Sequence, residues 1–335
     1  MAFVDRLREI VPTDRLASVL DSFGADRAVG VRANPSATGA VGEELVGVPV
    51  SAVGWRGSTG VCGWVEFAQR EAVVRHAAVE AGRVYVQNLS SQLAALALGV
   101  EPGMSVLDLA AAPGGKTLHL AGLVGPPGSG FRSQATGLND GGVLAAVEPV
   151  KGRFFRLRAN LERGGAGWVK TYMHDGRRVG QKTPERFDRV MLDAPCSAEA
   201  RIDARDPASF AEWSEKKIKR CARVQAALLR SALQAVKVGG MVLYATCSLA
   251  PEENEAVVAG VLERYGDAVE LVEWDDGWDE AWWGEGPRAE LQRGLVEWRG
   301  SEFGGEMRRC VRVLPDEHFP AFFMARLVKR GVIVE

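Results

Sequence analysis

The segment SVLDLAAAPGGKT (105–117) constrains the fold of this 335-residue chain most strongly. Residues 105–111 read as a buried strand, and a helix starts near Lys116. Between them, Ala110, Ala111, Ala112, Pro113, Gly114 and Gly115 carry no bulky side chain, so a ligand can approach the backbone closely. The free N–H groups and positive dipole end of the helix then face that ligand. In doubly wound sheets such a crevice at the strand carboxyl ends takes nucleotide-like ligands. Two chemistries compete. A phosphate-binding P-loop needs glycine five residues before the Gly of GKT; Ala110 stands there, which degrades the match. An adenosyl-cofactor loop needs an acid at the end of the second strand to grip ribose hydroxyls, and Glu148 ends GVLAAVE (142–148). Gly and Ala also suit any strand–helix turn, so the loop alone leaves the choice open.

The rest of the chain repeats the strand–helix rhythm. VKTYMH (169–174), DRVMLDA (188–194) and MVLYAT (241–246) read as further strands. Residues 151–163, 219–237 and 252–265 read as helices. Near the end, RRCVRVLP and AFFMARLVK read as a strand pair closing the sheet. The expected architecture is α/β: a Rossmann-like, doubly wound, mostly parallel sheet covered on both faces. Residues 1–84 lack the rhythm. They are expected to form a small α+β unit, with a helix at 14–22 and a strand around 28–34, ahead of a larger domain at 85–335. The Gly/Pro/Ser-rich stretch 121–142 is long for a helix–strand link and reads as a loop insertion.

Cysteine placement adds the second clue. Five cysteines, at 62, 196, 221, 247 and 310, show no metal-ligand spacing, so no metal is expected. Most cysteines are small buried hydrophobes; Cys62, Cys221 and Cys310 stay with that reading. Cys196 in DAPCS (193–197) and Cys247 in YATCS (244–248) differ, because both follow strands whose ends open into the crevice of the glycine loop. Two thiols at a nucleotide-sized site suggest covalent chemistry on an electron-poor carbon. Asp193 adds a carboxyl group at the same edge; it could instead simply cap its own turn.

Five motifs in order now resemble one family. VYVQNLSSQ (84–92), LDLAAAPGGKT (107–117), HDGR (174–177), LDAPCS (192–197) and YATCSLAPEENE (244–255) are similar to the RNA cytosine-5 methyltransferases of the RsmB/NOP/NSUN type. VRANP (31–35) and RVLPDEHFPAFFMARL (312–327) resemble that family's N-terminal and terminal hairpin segments.

The resemblance implies a class I methyltransferase fold and S-adenosylmethionine as cofactor. Residues 110–116 would hold its methionine and ribose part, Glu148 the ribose hydroxyls and Asp175 the adenine side, with Arg153 as a further contact. Asp193 would belong to the catalytic edge and to the cofactor site. Cys247 would be the nucleophile and Cys196 the releasing thiol; Lys116 would order the site or meet the RNA. The N-terminal unit would help recognise RNA, ribosomal rather than transfer RNA. Cytosine C5 is too weak a nucleophile to take a methyl group until a thiolate adds at C6, and the base must leave its stack to reach the pocket. The resemblance departs at SAEAR (197–201), which replaces the usual Ser/Thr-Gly-x-Gly. No extra C-terminal RNA-binding domain is expected. A nucleotide hydrolase, a DNA cytosine-5 methylase and a non-catalytic RNA-binding assembly factor remain as alternatives.

Net charge gives little support to RNA at first sight. Lys+Arg total 41 against 43 Asp+Glu, and the sum is −2. The charges are segregated, however. KGRFFRLRANLERGG (151–165) and EKKIKRCAR (215–223) are basic, and 270–285 is acidic with no Lys or Arg. Each cluster alone is most simply a solvated helix face; together the basic ones could follow a phosphate backbone. Trp274, Trp278 and Trp282 at helical spacing read as a packing stripe before a stacking platform. The N-terminus has no long apolar stretch, and no run nears the roughly 18 residues a spanning helix needs. A cytoplasmic monomer without membrane partners is expected.

Overall fold

A computed structural model of the chain describes residues 2–58, 60–126, 142–274 and 283–333. Four short strands come first: β1 (Val29–Ala33), β2 (Ser51–Ala52), β3 (Cys62–Val65) and β4 (Val84–Val86). They pair antiparallel in the order β2-β3-β1-β4 over a small core that includes Val31, Leu45, Val73 and Val84.

The main sheet begins at β5 (Ser105–Asp108) and continues through β6 (Val143–Val147), β7 (Lys170–Tyr172), β8 (Phe187–Asp193) and β9 (Val236–Thr246). These five run parallel in the order β7-β6-β5-β8-β9. The chain therefore steps outward from β5 to β7, crosses back, and builds the other side with β8 and β9. That reversal opens a crevice above the carboxyl ends of β5, β8 and β9. Beyond β9 the sheet turns antiparallel. After β10 (Val269–Leu271), β11 (Leu291–Arg293), a two-strand hairpin of β12 (Glu297–Trp298) and β13 (Ser301–Glu302), and β14 (Val311–Val313), the chain returns as β15 (Phe322–Lys329) against β9. β10 and β14 both pair with β15, and β11 with β14.

Side-chain alternation explains the two covered faces. Val106 and Leu243 point to a core shared with Leu93, Leu118 and Leu157, from helices Leu89–Ala97, Gly115–Val124 and Lys151–Arg163. Leu107 and Val242 point to the opposite core, closed by Leu229 and Val258 from helices Glu215–Ala235 and Glu255–Tyr265. The fold is a Rossmann-like α/β sheet, as the strand–helix rhythm implied.

Boundaries differ from the sequence reading in several places. The first main strand stops at Asp108, because the chain leaves the ladder to form the small-residue loop. The strand at 169–174 keeps only three paired residues. The long helix starts at Glu215, capped by the Ser214 side chain, and the next begins at Glu255. The helix after the glycine loop runs to Val124, so the first part of 121–142 is helical; 127–141 lie outside the described residues. At the N-terminus, β4 reaches Val86 and pairs with β1. Helices Ala2–Ile10 and Leu16–Ser22 do not join that small sheet: Phe3, Leu7 and Val19 pack on Ile202, Leu249 and Leu314 of the main domain. Trp274 is buried and donates its indole N–H to Arg309 O, in keeping with packing; Trp278 and Trp282 lie outside the described residues.

Candidate active site

The loop after β5 forms the floor of a cavity of about 320 Å³ at the carboxyl end of the sheet. Two glycines make its shape possible. Gly114 caps the following helix at φ +110°, a left-handed conformation, and a Cβ there would stand 3.0 Å from Leu157 Cδ1. A Cβ on Gly115 would meet the Tyr85 ring at 2.8 Å. Arg153, from the helix after β6, donates to Ala112 O at 2.9 Å and lies 3.4 Å from Glu148 Oε2. Glu148 is buried and accepts from Val150 N at 2.9 Å. Arg153 thus ties the glycine loop to the acid that ends β6.

Asp108 and Lys116 put opposite charges into the cavity wall. Asp108 is fully buried; its Oδ2 accepts from Thr117 Oγ1 at 2.7 Å. Its Oδ1 takes no hydrogen bond of ordinary geometry among the described residues. Burial pushes this carboxyl up to about 6, against the hydrogen bond from Thr117. Lys116 Nζ donates to Asp193 Oδ2 at 2.8 Å and to Ser91 Oγ at 2.9 Å, and stands 5.2 Å from the Phe322 ring centroid.

The two thiols meet at the same edge. β8 and β9 are parallel neighbours with Asp193 beside Ala245, so the loops that follow them lie side by side. Cys196 Sγ and Cys247 Sγ are 3.1 Å apart. Either thiol can donate to the other, and Arg201 and Lys116 are the cations that favour a thiolate at Cys247, against burial and the Asp193 carboxylate. Around Cys196 the contact with Cys247, burial and the nearby Glu253 and Asp193 carboxylates all disfavour a thiolate. Cys247 lines the cavity, and Cys196 reaches it only through this sulfur contact.

Of the residues expected from the sequence, Ala110, Ala111, Ala112, Pro113, Gly115, Lys116, Asp193 and Cys247 line this one cavity. Cys196 joins through its sulfur contact. Gly114, Glu148 and Arg153 support the loop from behind. Asp175 lies apart, beside a second cavity of about 410 Å³; Arg177 hydrogen-bonds it at 2.6 Å and holds its carboxyl below the ordinary range.

The sequence reading passed over Tyr85, Gln87, Ser91, Asp108, Arg201 and Phe322, which complete the wall. All six lie inside segments already quoted, Arg201 in the departing SAEAR stretch, and that was the available signal. Arg32, in the quoted VRANP segment, had been given no role. That buried guanidinium donates to Gln87 Oε1 at 2.9 Å and to Gly115 O at 3.2 Å, joining β1 to the glycine loop.

A family model described as "16S rRNA methyltransferase RsmB/F" matches residues 95–328, well over half of the chain. The chain belongs to the RsmB/F methyltransferase family. It is 37% identical over 211 residues to the ribosomal RNA small subunit methyltransferase F of Serratia proteamaculans, covering 62% of this chain and 41% of that one. It is 42% identical over 191 residues to the same-named protein of Vibrio cholerae, covering 56% and 37%. The chain therefore spans about two fifths of these curated relatives. The crystal structure of a methyltransferase homologue from Pyrococcus horikoshii superposes over 98% of this chain and 94% of that one, with a TM-score of 0.74 and 26% identity.

Family membership puts the SAEAR segment in context. Ala198 stands at the first glycine position of the usual pattern and keeps a glycine-like backbone, φ +64° and ψ +39°. A left-handed non-glycine residue costs about 1–2 kcal/mol. Neighbouring bonds hold the turn: Ala200 N donates to Cys247 O at 3.0 Å, and Leu249 N donates to Glu199 Oε2 at 2.8 Å.

Proposed function

We propose that this RsmB/F-family chain methylates C5 of a cytosine in small-subunit ribosomal RNA, through a covalent bond between Cys247 and C6 of the base. The observation that carries the reading is the Cys196–Cys247 sulfur contact at a cavity that also holds the Lys116–Asp193 ion pair.

S-adenosylmethionine is the cofactor of the family, and it supplies an electrophilic methyl group on a sulfonium. The residues present fit it. The small-residue loop 110–115 leaves backbone accessible, and the Asp108 carboxylate in the cavity wall suits a cationic amino group. Glu148 would face the ribose hydroxyls, with Arg153 bracing it; Asp175, expected on the adenine side, lies beside the second cavity and not in the wall of the first.

In this reading Cys247 adds as thiolate to C6, which makes C5 enamine-like and able to accept the methyl group. Lys116 and Asp193 would hydrogen-bond the N3 edge of the base and stabilise charge there. A base then removes the C5 proton as the Cys247–C6 bond breaks, and Cys196 assists release. A DNA cytosine-5 methylase would use the Pro-Cys thiol, Cys196, as nucleophile. Cys247, not Cys196, lines the cavity, and this favours the RNA-type assignment.

The basic helix faces support an RNA partner: Lys151, Arg156 and Arg158, and Lys216, Lys219 and Arg220, are exposed. The N-terminal sheet would be the accessory RNA-recognition unit and the remainder the catalytic domain. β4 supports this, since it belongs to the small sheet yet contributes Tyr85 and Val86 to the cavity wall. No helix among the described residues is long and apolar enough to cross a membrane. Bisulfite sequencing of total RNA from cells with and without the gene tests the proposal. One ribosomal cytosine should lose protection in the deletion strain. An unchanged ribosomal profile would overturn it.

A further inference from the structure

Beneath the two thiols, the Pro-Cys and Thr-Cys loops are joined by two carboxylates that the proposed reaction does not use. Glu199 and Glu253 are 2% and 0% exposed. Glu253 Oε2 accepts from Ser197 N at 2.9 Å and from Gln225 Nε2 at 2.7 Å, and Gln225 also donates to Pro195 O at 3.0 Å. Glu253 thus fixes the residues on both sides of Cys196. Glu199 accepts from Leu249 N and Trp213 Nε1, each at 2.8 Å, and Leu249 lies two residues beyond Cys247. Ser248, the residue after Cys247, sits between them: its Oγ is 3.1 Å from Glu199 Oε2, 3.1 Å from Glu253 Oε1 and 3.1 Å from Ser197 Oγ.

A hydroxyl has one proton to donate, so Ser248 serves one carboxylate at a time. The donors to both carboxylates are neutral groups. Two ionised carboxylates so placed repel, and the arrangement is relieved when one of them holds a proton. In line with this, burial pushes the Glu253 carboxyl above its usual range, with Glu199 adding to the effect.

We propose that Glu199 and Glu253 are positioning residues: acting through Ser197 and Ser248, they hold Cys196 and Cys247 with their sulfurs in contact. The roles given to the thiols rest on the reaction proposed above, but the geometry does not need RNA or a methyl donor to be tested.

The hydrogen-bond pattern sets an asymmetry. In Glu253→Gln, the amide oxygen can take the Oε2 place and keep Ser197 N and Gln225, and the NH2 can donate to Ser248 Oγ, so only the longer 3.3 Å contact of Ser197 N with Oε1 is given up. In Glu199→Gln, both oxygen places face N–H donors, so one bond is lost whichever way the amide sits. Closure of a Cys196–Cys247 disulfide by diamide reads the sulfur geometry. The two thiols give up two protons and two electrons, and the N=N bond of diamide is reduced to a hydrazine. Closure is followed on the full chain by peptide mass mapping. Alkylation of half-buried Cys221 by iodoacetamide is the internal control for folding.

Glu253→Gln should close within about threefold of the parent rate, and Glu199→Gln and Ser248→Ala about tenfold slower or more, with Cys221 alkylation unchanged. Parent-rate closure in Glu199→Gln and Ser248→Ala would overturn the proposal. So would a Glu253→Gln variant as slow as Glu199→Gln. Should Cys221 become reactive in Glu199→Gln, Ser248→Ala decides. Because no substrate is used, failure here would leave the methylation reading standing, and failure of that reading would leave this result valid.

Discussion

Arg32 reaches from the first strand of the N-terminal sheet to Gly115 O, at 3.2 Å, in the loop that floors the proposed cofactor site. It is 1% exposed, and its named hydrogen-bond partners are neutral: Gln87 Oε1, Ala33 O and Gly115 O. Burial without a carboxylate partner brings its pKa down to about 10. The small sheet and the cofactor loop are therefore one structural unit at this point.

Removing that guanidinium should be costly. Arg32→Ala takes a side-chain donor from Gln87 Oε1, Ala33 O and Gly115 O and opens a cavity, so a loss on the order of 3 kcal/mol is expected. Urea unfolding measures it. A variant within about 0.5 kcal/mol of the parent would show that the contact does not hold the two parts together.

Asp108 gives a pH dependence with a definite sign. Its carboxyl rises from 3.8 to about 6 on folding. The folded chain therefore keeps a proton that the unfolded chain releases earlier. The stability this provides is present at low pH and is lost as pH rises from near 4 through 6. Asp108→Asn keeps an acceptor for Thr117 and removes the buried charge. At pH 8, without ligand, it should be more stable by on the order of 1–2 kcal/mol. It should also bind S-adenosylhomocysteine about tenfold more weakly, since the charge facing the amino group is gone. Calorimetry checks both; unchanged ligand affinity would remove Asp108 from the cofactor site.

How much of this was readable beforehand follows from what is local in the chain. The glycine loop, Glu148 and the two cysteine loops are short contiguous patterns, and the apolar runs at 105–111 and 241–246 marked buried strands of a sheet covered on both faces. Arg32 was not readable, because its partners Gln87 and Gly115 come together only when β1, β4 and the cofactor loop pack. Lys116 and Asp193 were each singled out, but their ion pair spans 77 residues. Glu199 looked like a departure from a motif; its partners Trp213 and Leu249 are set by the fold. The helices at the N-terminus went to the main domain because Phe3 and Leu7 found apolar partners there.

Lys116 organises the polar edge of the cavity. Lys116→Ala should lower the rate of methyl transfer about 100-fold while changing S-adenosylhomocysteine binding little, because the lost interactions are with Asp193 and Ser91. Single-turnover kinetics on transcribed small-subunit ribosomal RNA, with ligand affinity measured in parallel, separates the two effects. A matched loss of ligand binding would assign Lys116 to the cofactor instead.

Ala198 carries left-handed backbone that glycine adopts freely. Ala198→Gly should stabilise the chain by up to about 1 kcal/mol, the relieved strain being partly offset by the greater freedom of glycine in the unfolded chain. Thermal melts report it. A destabilised variant would mean that the Ala198 methyl contributes packing that outweighs the strain.

The division of labour between the two thiols is the central claim, and the Cys196→Ala variant tests it most directly. Mixed with transcribed small-subunit ribosomal RNA and S-adenosylmethionine, it should accumulate a protein–RNA adduct that survives denaturing electrophoresis and maps by mass to Cys247. Cys247→Ala should form none. An adduct that persists in Cys247→Ala, or that maps to Cys196 in the parent chain, would contradict the assignment.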